Sequence, residues 1–262
     1  MRIAAVQFDF DETEPFDARV DRMMGLVASA AIDAGREADF VVLPELWPNG
    51  GFTYRQWQPT AQPLNGPLVA RLQEAARSAS VVLHAGSFIE QHDDGSLTNT
   101  AVLIERDGSI VAVYRKIHLF GFTDGEPKYL TGGDELVVAD TSVGRVGLST
   151  CYDLRFPELY RRLTDQGSDV FVVPAAWPAS RVGHWTVLAQ ARAIENQTPL
   201  IAVNTSGTHG GVPMGGRSII VDAVGEVLAE AGDDETVLGA EIDAAATLKW
   251  RERFPALGDR RL

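Results

Sequence analysis

The sequence predicts an α/β protein built as a four-layer α-β-β-α sandwich, with two stacked mixed sheets inside and helices outside. Strand-like and helix-like segments are intermixed along 262 residues, and about a dozen short strands accompany only four or so substantial helices. Many strands with few helices fit two sheets packed face to face, each covered on one side. No Pro/Gly/Ser-rich linker or charge block divides the chain, so we expect a single domain over residues 1–262.

In the first half of the chain, the spacing of apolar residues assigns each element. Short apolar runs predict strands over residues 2–8, 39–43 and 81–90. Apolar residues at helical spacing predict helices over 16–34, capped by Gly35, and over 67–79, where Asn65-Gly66-Pro67 supplies the first turn. Residues 97–105 and 109–115, joined by Arg106-Asp107-Gly108, predict an antiparallel hairpin.

The second half begins with a loop over 117–133 that is rich in glycine and proline, and a long ordered loop of this kind usually lines a site. The helices predicted after it cover 157–166 and 182–196, and Arg192 and Glu195 share a face of the second. The predicted strands cover 135–139, 143–150, 169–173, 200–205, 217–221, 226–229 and 236–242. An irregular tail with Trp250 and Phe254 is expected to follow.

Composition restricts the partners. The net charge of −13 disfavours nucleic acid or an anionic membrane surface, because either would repel the average surface. The single cysteine allows no intramolecular disulfide, and the N-terminal segment reaches Asp9 before a signal-peptide apolar region could develop, so a cytoplasmic location is expected. No apolar stretch approaches the roughly 20 residues that span a bilayer. The five histidines have no short paired spacing with each other or with the cysteine, so we expect no dedicated zinc site. No cofactor and no other metal are expected either.

Three apolar strands end in reactive side chains, which are Glu45, Lys116 and Cys151. In α/β sheets, reactive groups collect at strand ends. A free thiol has a pKa of about 8.5, so a nucleophilic cysteine needs an ammonium that lowers this pKa or a carboxylate that removes the proton. The same carboxylate can protonate a departing amine, while the ammonium stabilises negative oxygen. Each residue alone is weak evidence, but together they predict amide hydrolysis through a thioester.

The short sequence motifs around these residues resemble those of the nitrilase, or carbon-nitrogen hydrolase, superfamily. The resemblance rests on Leu43-Pro44-Glu45-Leu46, on Tyr114-Arg115-Lys116-Ile117-His118-Leu119-Phe120 and on Cys151-Tyr152-Asp153-Leu154-Arg155-Phe156-Pro157-Glu158-Leu159. It implies that Glu45 is the general base and acid, that Lys116 stabilises the tetrahedral intermediate and that Cys151 is the nucleophile. The family's second glutamate would match Glu126, with Asp124 and Glu135 as nearby alternatives.

Four further residues are candidate substrate-binding groups. The backbone N–H of Tyr152 is a second oxyanion donor if the turn opens toward the substrate, and its side chain is expected in the pocket. Phe52 and Trp177 form either pocket walls or packing. Arg155 either braces the turn through an ion pair with Asp153, the role we favour, or binds a substrate carboxylate bidentately.

Tyr152 and Asp153 indicate that the cleaved bond belongs to an amide rather than a nitrile, because true nitrilases usually carry tryptophan and glutamate after the cysteine. The sequence motifs of this chain resemble those of the branch that contains omega-amidases and deaminated glutathione amidases. That resemblance implies hydrolysis of an omega-amide of a 2-oxo dicarboxylic acid with release of ammonia, and a homodimer or larger homo-oligomer.

Two alternatives stay open at this point. The same triad would serve an N-carbamoyl-amine or aliphatic amide hydrolase. A catalytically silent scaffold is the alternative outside enzymes, and an unreactive Cys151 of high pKa would support it.

Overall fold

The computed structural model describes residues 1–32, 38–121 and 124–261, which form fifteen strands and six α-helices. The strands are β1 (Arg2–Gln7), β2 (Asp9–Phe10), β3 (Phe40–Val42), β4 (Val82–Gln91), β5 (Leu97–Ile104), β6 (Ile110–Arg115), β7 (Val138–Thr141), β8 (Gly144–Leu148), β9 (Val170–Pro174), β10 (Leu200–Val203), β11 (Ser206–His209), β12 (Val212–Pro213), β13 (Ile219–Val221), β14 (Val227–Glu230) and β15 (Thr236–Glu241). The helices are α1 (Phe16–Ala30), α2 (Tyr54–Thr60), α3 (Pro67–Ala79), α4 (Pro157–Asp165), α5 (Val182–Asn196) and α6 (Ala244–Arg253).

Two six-stranded mixed sheets carry the fold. The first has the order β15-β1-β3-β4-β5-β6, and the second has the order β14-β13-β10-β9-β8-β7. In each sheet the central strands are parallel and the outer strands pair antiparallel; in the first sheet, for example, Ala4 lies opposite Val41 in β3 and Gly239 in β15. The parallel pairs need crossovers, which the helices provide, and this confirms the predicted mixture of strands and helices.

Side chains along β1 show how the layers stack. Ile3 and Ala5 pack into a core shared by both sheets, which also contains Val146 and Val172 of the second sheet. Successive side chains of a strand point to opposite faces, so the neighbours of Ile3 and Ala5 in β1 face away from this core. The sheets are therefore stacked face to face, and β1 is buried on both sides.

The outer faces of the sheets are covered by helices. On the first sheet, α1 and α3 pack through Met23, Val27 and Leu72 against the strands. On the second sheet, α4 and α5 pack through Leu163 and Trp185. These contacts complete the α-β-β-α sandwich and confirm the predicted fold class. None of the helices in the described ranges is long and apolar enough to cross a membrane.

Several elements differ from the sequence prediction. The tail expected to be irregular contains α6, whose N-terminus is capped by Asp243 through hydrogen bonds from the N–H groups of Ala245 and Ala246. Helix α2 and a small sheet of the order β12-β11-β2 were also not predicted. The predicted cap at Gly35 lies outside the described residues.

Candidate active site

The carboxylate, ammonium and thiol from the three strand ends line one cavity. Glu45 follows β3, Lys116 follows β6 directly and Cys151 follows β8. Lys116 Nζ lies 2.8 Å from Glu45 Oε1, and these side chains are 1% and 2% exposed. The fold therefore brings together the three groups predicted from the sequence and buries the ion pair.

Glu126 is the second acid of this cluster. Its Oε1 accepts a hydrogen bond from Lys116 Nζ at 2.8 Å, and its Oε2 accepts the N–H of Phe120 at 2.5 Å. The N–H of Glu126 donates to the Phe120 carbonyl at 2.8 Å, so two hydrogen bonds join Glu126 to Phe120. The alternatives Asp124 and Glu135 have exposed side chains and do not line the cavity.

The turn that carries Cys151 has an uncommon backbone conformation. Cys151 has a φ of 50°, in the left-handed region, which costs a non-glycine residue about 1–3 kcal/mol. Residues Cys151–Arg155 form a 3-10 turn, and the N–H of Thr150 donates to Asp153 Oδ2 at 2.8 Å. The Asp153 carboxylate within the turn therefore helps to hold its backbone conformation.

The buried Asp153 carboxylate also joins this turn to the segment that carries Lys116. Its Oδ2 accepts the Tyr114 hydroxyl at 2.6 Å, and its Oδ1 accepts the His118 N–H at 3.0 Å and contacts His118 Nδ1 at 2.7 Å. The predicted ion pair between Asp153 and Arg155 does not form. With Thr150 as the fourth donor, both carboxylate oxygens of Asp153 are already occupied.

Arg155 faces the cavity instead. Its guanidinium carbon lies 4.7 Å from the centroid of the Trp177 ring, and Nη2 lies 3.3 Å from His184 Nδ1. Within the described part of the chain, no carboxylate lies within ion-pair distance of Arg155. The geometry therefore favours the second of the two roles considered for Arg155, the binding of an anionic group.

Glu45 is fixed by donors from three elements. Besides Lys116, Asn99 Nδ2 on β5 donates to Oε1 at 2.8 Å, and the N–H of Ala176 after β9 donates to Oε2 at 2.8 Å. These bonds hold both oxygens of the Glu45 carboxylate in fixed positions. Neither Asn99 nor Ala176 was identified from the sequence.

A bulge in β4 accommodates the turn at Glu45. The pairing of β4 with β5 shifts between His84 and Ser87, and the N–H of Ser87 donates to the Pro44 carbonyl at 3.2 Å. Gly86, inside the bulge, has a φ of 64°, and a Cβ there would lie 2.0 Å from the Pro44 oxygen. Only glycine fits this position, because the backbone that precedes Glu45 passes directly over it.

Burial and charge set the protonation of the cluster. Burial raises the pKa of the Cys151 thiol well above its ordinary value, and the charge of Glu45 raises it further against the opposing effect of Lys116. Burial alone would lower the pKa of Lys116, but Glu126 and Glu45 together raise it well above its usual value. Burial also raises the pKa of Glu126, which Lys116 opposes. The thiol is therefore protonated at rest, which by itself would suit the silent scaffold, but the Glu45 carboxylate in the same cavity can act as the base that the thiol requires.

The cavity is a narrow cleft, and about 360 Å³ of empty space, open solvent at its mouth included, lies between its lining residues. All four predicted substrate-binding residues, Phe52, Tyr152, Arg155 and Trp177, line it. Five further lining residues were not identified from the sequence, and they are Gly51, Phe120, Ala176, Pro178 and Arg181. Arg181 directly precedes α5, and its guanidinium carbon lies 5.2 Å from the centroid of the Phe120 ring. Among the described residues, no group of three or more His, Cys, Asp and Glu side chains is arranged to hold a metal ion.

Comparisons with known proteins show which family the chain belongs to. The model of the carbon-nitrogen hydrolase family matches residues 2–252. The chain is 44% identical to a 2-oxoglutaramate amidase of Paenarthrobacter nicotinovorans over 99% of this chain and 89% of the relative, and 32% identical to the mouse omega-amidase NIT2 over 99% and 95%. A crystal structure of a carbon-nitrogen hydrolase from Helicobacter pylori superposes with a TM-score of 0.90 at 30% identity, covering 100% of this chain and 95% of that one.

Proposed function

Because the chain belongs to the carbon-nitrogen hydrolase family, we propose that it hydrolyses the omega-amide of a small 2-oxo dicarboxylic acid through a cysteine thioester. The observation that carries the proposal is the buried Lys116 ammonium, bonded to both Glu45 and Glu126 in the cavity that Cys151 lines. One catalytic domain over residues 1–262 is part of the same proposal, since the family match covers nearly all of it.

In the first half-reaction, Glu45 takes the Cys151 proton while the sulfur attacks the amide carbon. The carbonyl oxygen becomes negative and accepts the third N–H of Lys116, whose other two are bonded to Glu45 and Glu126. The N–H of Tyr152, at the start of the 3-10 turn, is the second donor. Glu45 then protonates the nitrogen, the C–N bond breaks and ammonia leaves.

In the second half-reaction, Glu45 takes a proton from water, and the water oxygen attacks the thioester. Collapse of the intermediate breaks the C–S bond, and the proton on Glu45 returns to sulfur as the acid leaves. Glu126 takes no proton in this sequence. Its Oε1 accepts a hydrogen bond from the Lys116 ammonium, and its Oε2 accepts the N–H of Phe120. Glu126 therefore holds the ammonium in position in the cavity.

The substrate preference follows from the groups at the cavity wall. Arg155 has its guanidinium over the face of Trp177, and we assign it the bidentate binding of the substrate carboxylate. Arg181 supplies a second positive charge to the same cavity. Two arginines without ion-pair partners in the described ranges, on a chain with a net charge of −13, favour an anionic amide over a neutral one.

The test is ammonia release from a panel that contains 2-oxoglutaramate, a neutral aliphatic amide, an N-carbamoyl amine and a nitrile, with Cys151→Ala as the control. The proposal expects 2-oxoglutaramate to have the highest kcat/KM and the control to release none. Preference for the carbamoyl amine or the neutral amide would favour the alternative hydrolases. No turnover of any compound, together with a Cys151 that resists alkylation, would indicate the silent scaffold.

A homodimer and a cytoplasmic location complete the proposal. Val187 and Ile194, seven residues apart on α5, are both exposed, and the adjacent Val224 extends this apolar surface through the turn that packs on Ile194 at Gly225. A second copy related by a two-fold axis would bury such a surface. A nucleophilic thiol that must stay reduced fits a reducing compartment.

A further inference from the structure

Asn99 contacts both members of the buried ion pair. From β5, its Nδ2 donates to Glu45 Oε1 at 2.8 Å, and its main-chain carbonyl accepts the N–H of Lys116 at 2.9 Å. The residue is 1% exposed, and its Oδ1 has no hydrogen-bond partner among the described residues. A buried polar atom without a partner is costly, so the unpaired Oδ1 is a cost that accompanies the bond from Nδ2 to Glu45.

The two oxygens of Glu45 differ in what they accept. Oε1 accepts Asn99 Nδ2 and Lys116 Nζ, both at 2.8 Å, whereas Oε2 accepts the N–H of Ala176 at 2.8 Å. Each carboxylate oxygen has two lone pairs in the carboxylate plane. The acceptor capacity of Oε1 is therefore filled, and one lone pair of Oε2 is left for a proton.

We propose that Asn99 is a positioning residue for the hydrolysis proposed above, since it fills Glu45 Oε1 and leaves Oε2 as the atom that takes and returns the proton. Oε2 takes the thiol proton as the C–S bond forms and gives it to nitrogen as the C–N bond breaks. It takes a proton from water as the C–O bond forms and returns it to sulfur as the C–S bond breaks. The inference depends on the proposed function for these steps.

Loss of Asn99 Nδ2 has two consequences. Oε1 would gain a free lone pair, so part of the Glu45 population would hold the proton on the wrong oxygen. The anion would also lose a stabilising hydrogen bond and become more basic, which moves the acidic limb of the kcat/KM profile up by about one pH unit. The titratable groups that face Glu45 are Lys116, Glu126 and Cys151, and all three are present in every variant compared.

The variant is Asn99→Leu, which keeps the approximate shape and removes the donor. The matched control is Thr100→Val on the adjacent, oppositely facing position. Thr100 is also buried and donates to a carboxylate, Glu90 Oε2 at 2.7 Å, outside the cavity. Both variants lose one buried hydrogen bond to an acid, so loss of structure affects both, whereas a shift of the pH profile is expected only for Asn99→Leu.

We expect Asn99→Leu to lower kcat by about tenfold to 100-fold and to raise the acidic limb by about one pH unit, while Thr100→Val keeps the wild-type limb. An acidic limb that stays at the wild-type pH in folded Asn99→Leu would overturn the inference. Should Asn99→Leu fail to fold, the smaller Asn99→Ala replaces it. Alanine also removes the donor to Oε1, so the same rise of the limb is expected, and an unmoved limb there also overturns the inference.

Alkylation of Cys151 by iodoacetamide, measured against pH in the same variants, separates the two proposals because it needs no substrate. An alkylation profile that shifts in Asn99→Leu but not in Thr100→Val supports the role of Asn99 even if no amide is hydrolysed. Amide turnover by the wild type with unshifted alkylation and kinetic profiles leaves the proposed function standing and removes the role of Asn99.

Discussion

The Lys116→Met substitution tests how strongly the two buried acids depend on the ammonium between them. Methionine keeps most of the side-chain volume but leaves Glu45 and Glu126 without the cation that lies 2.8 Å from each. Breaking a buried ion pair by removing one partner costs about 3–5 kcal/mol. We therefore expect the free energy of unfolding at pH 8 to fall by that amount and kcat to fall by at least about 10³-fold.

The loss should depend on pH with a definite sign. Burial already raises the pKa of Glu126, and Lys116 opposes this rise, so removing Lys116 raises the pKa further. A carboxyl whose folded-state pKa is raised favours the folded state below its unfolded pKa and loses that contribution as the pH rises through the folded pKa. The free energy of unfolding that Lys116→Met loses relative to the wild type should therefore become smaller as the pH falls from 8 to 5.

Urea unfolding at fixed protein concentration, followed at both pH values, measures this deficit. Lys128→Met is the control, because Lys128 pairs with Asp124 at 3.3 Å on the surface, where an ion pair contributes about 0–1 kcal/mol. In addition, Lys116→Met combined with Glu126→Gln should be more stable than Lys116→Met alone. A loss of stability no larger than that of Lys128→Met, or one independent of pH, would show that the two buried acids do not depend on the ammonium.

Three further predictions concern the substrate, the turn and the assembly. Arg155→Met should raise KM for 2-oxoglutaramate by about tenfold to 100-fold and leave KM for a neutral amide unchanged, as steady-state kinetics would reveal. Tyr114→Phe removes the 2.6 Å bond to buried Asp153 and should lower the free energy of unfolding by about 1.5–3 kcal/mol in urea titrations; no loss would show that the bond adds nothing. Ile194→Glu should shift the protein toward monomer in sedimentation velocity, unless α5 lies outside the dimer interface.

The main site could be predicted because strand ends leave a clear sequence signal. Glu45, Lys116 and Cys151 each follow an apolar run, and the fold places all three side chains in one cavity. Glu126 could be named but not separated from its neighbours, because a loop has no periodicity. Only the hydrogen bonds to Phe120 and Lys116 distinguish it from the exposed acids nearby.

Other features were not accessible from local sequence. Asp153 and Arg155 look like a pair when read two residues apart, yet a 3-10 turn repeats every three residues and directs them to different sides. The sequence does contain a signal for Asn99, because Thr98, Asn99 and Thr100 are consecutive polar residues within a buried strand. Such residues need partners, and the partner of Asn99 lies 54 positions away in sequence. Helix α6 was missed because its alanine-rich start has no clear apolar face.

Rapid acid quenching followed by mass spectrometry shows whether Cys151 carries the acyl group of the amide as a thioester. During turnover of 2-oxoglutaramate, we expect a protein mass increased by the substrate less ammonia, located on the peptide that contains Cys151. The adduct should be absent from Cys151→Ala. Ammonia released at the full rate by Cys151→Ala, or an adduct on a different residue, would show that Cys151 is not the nucleophile.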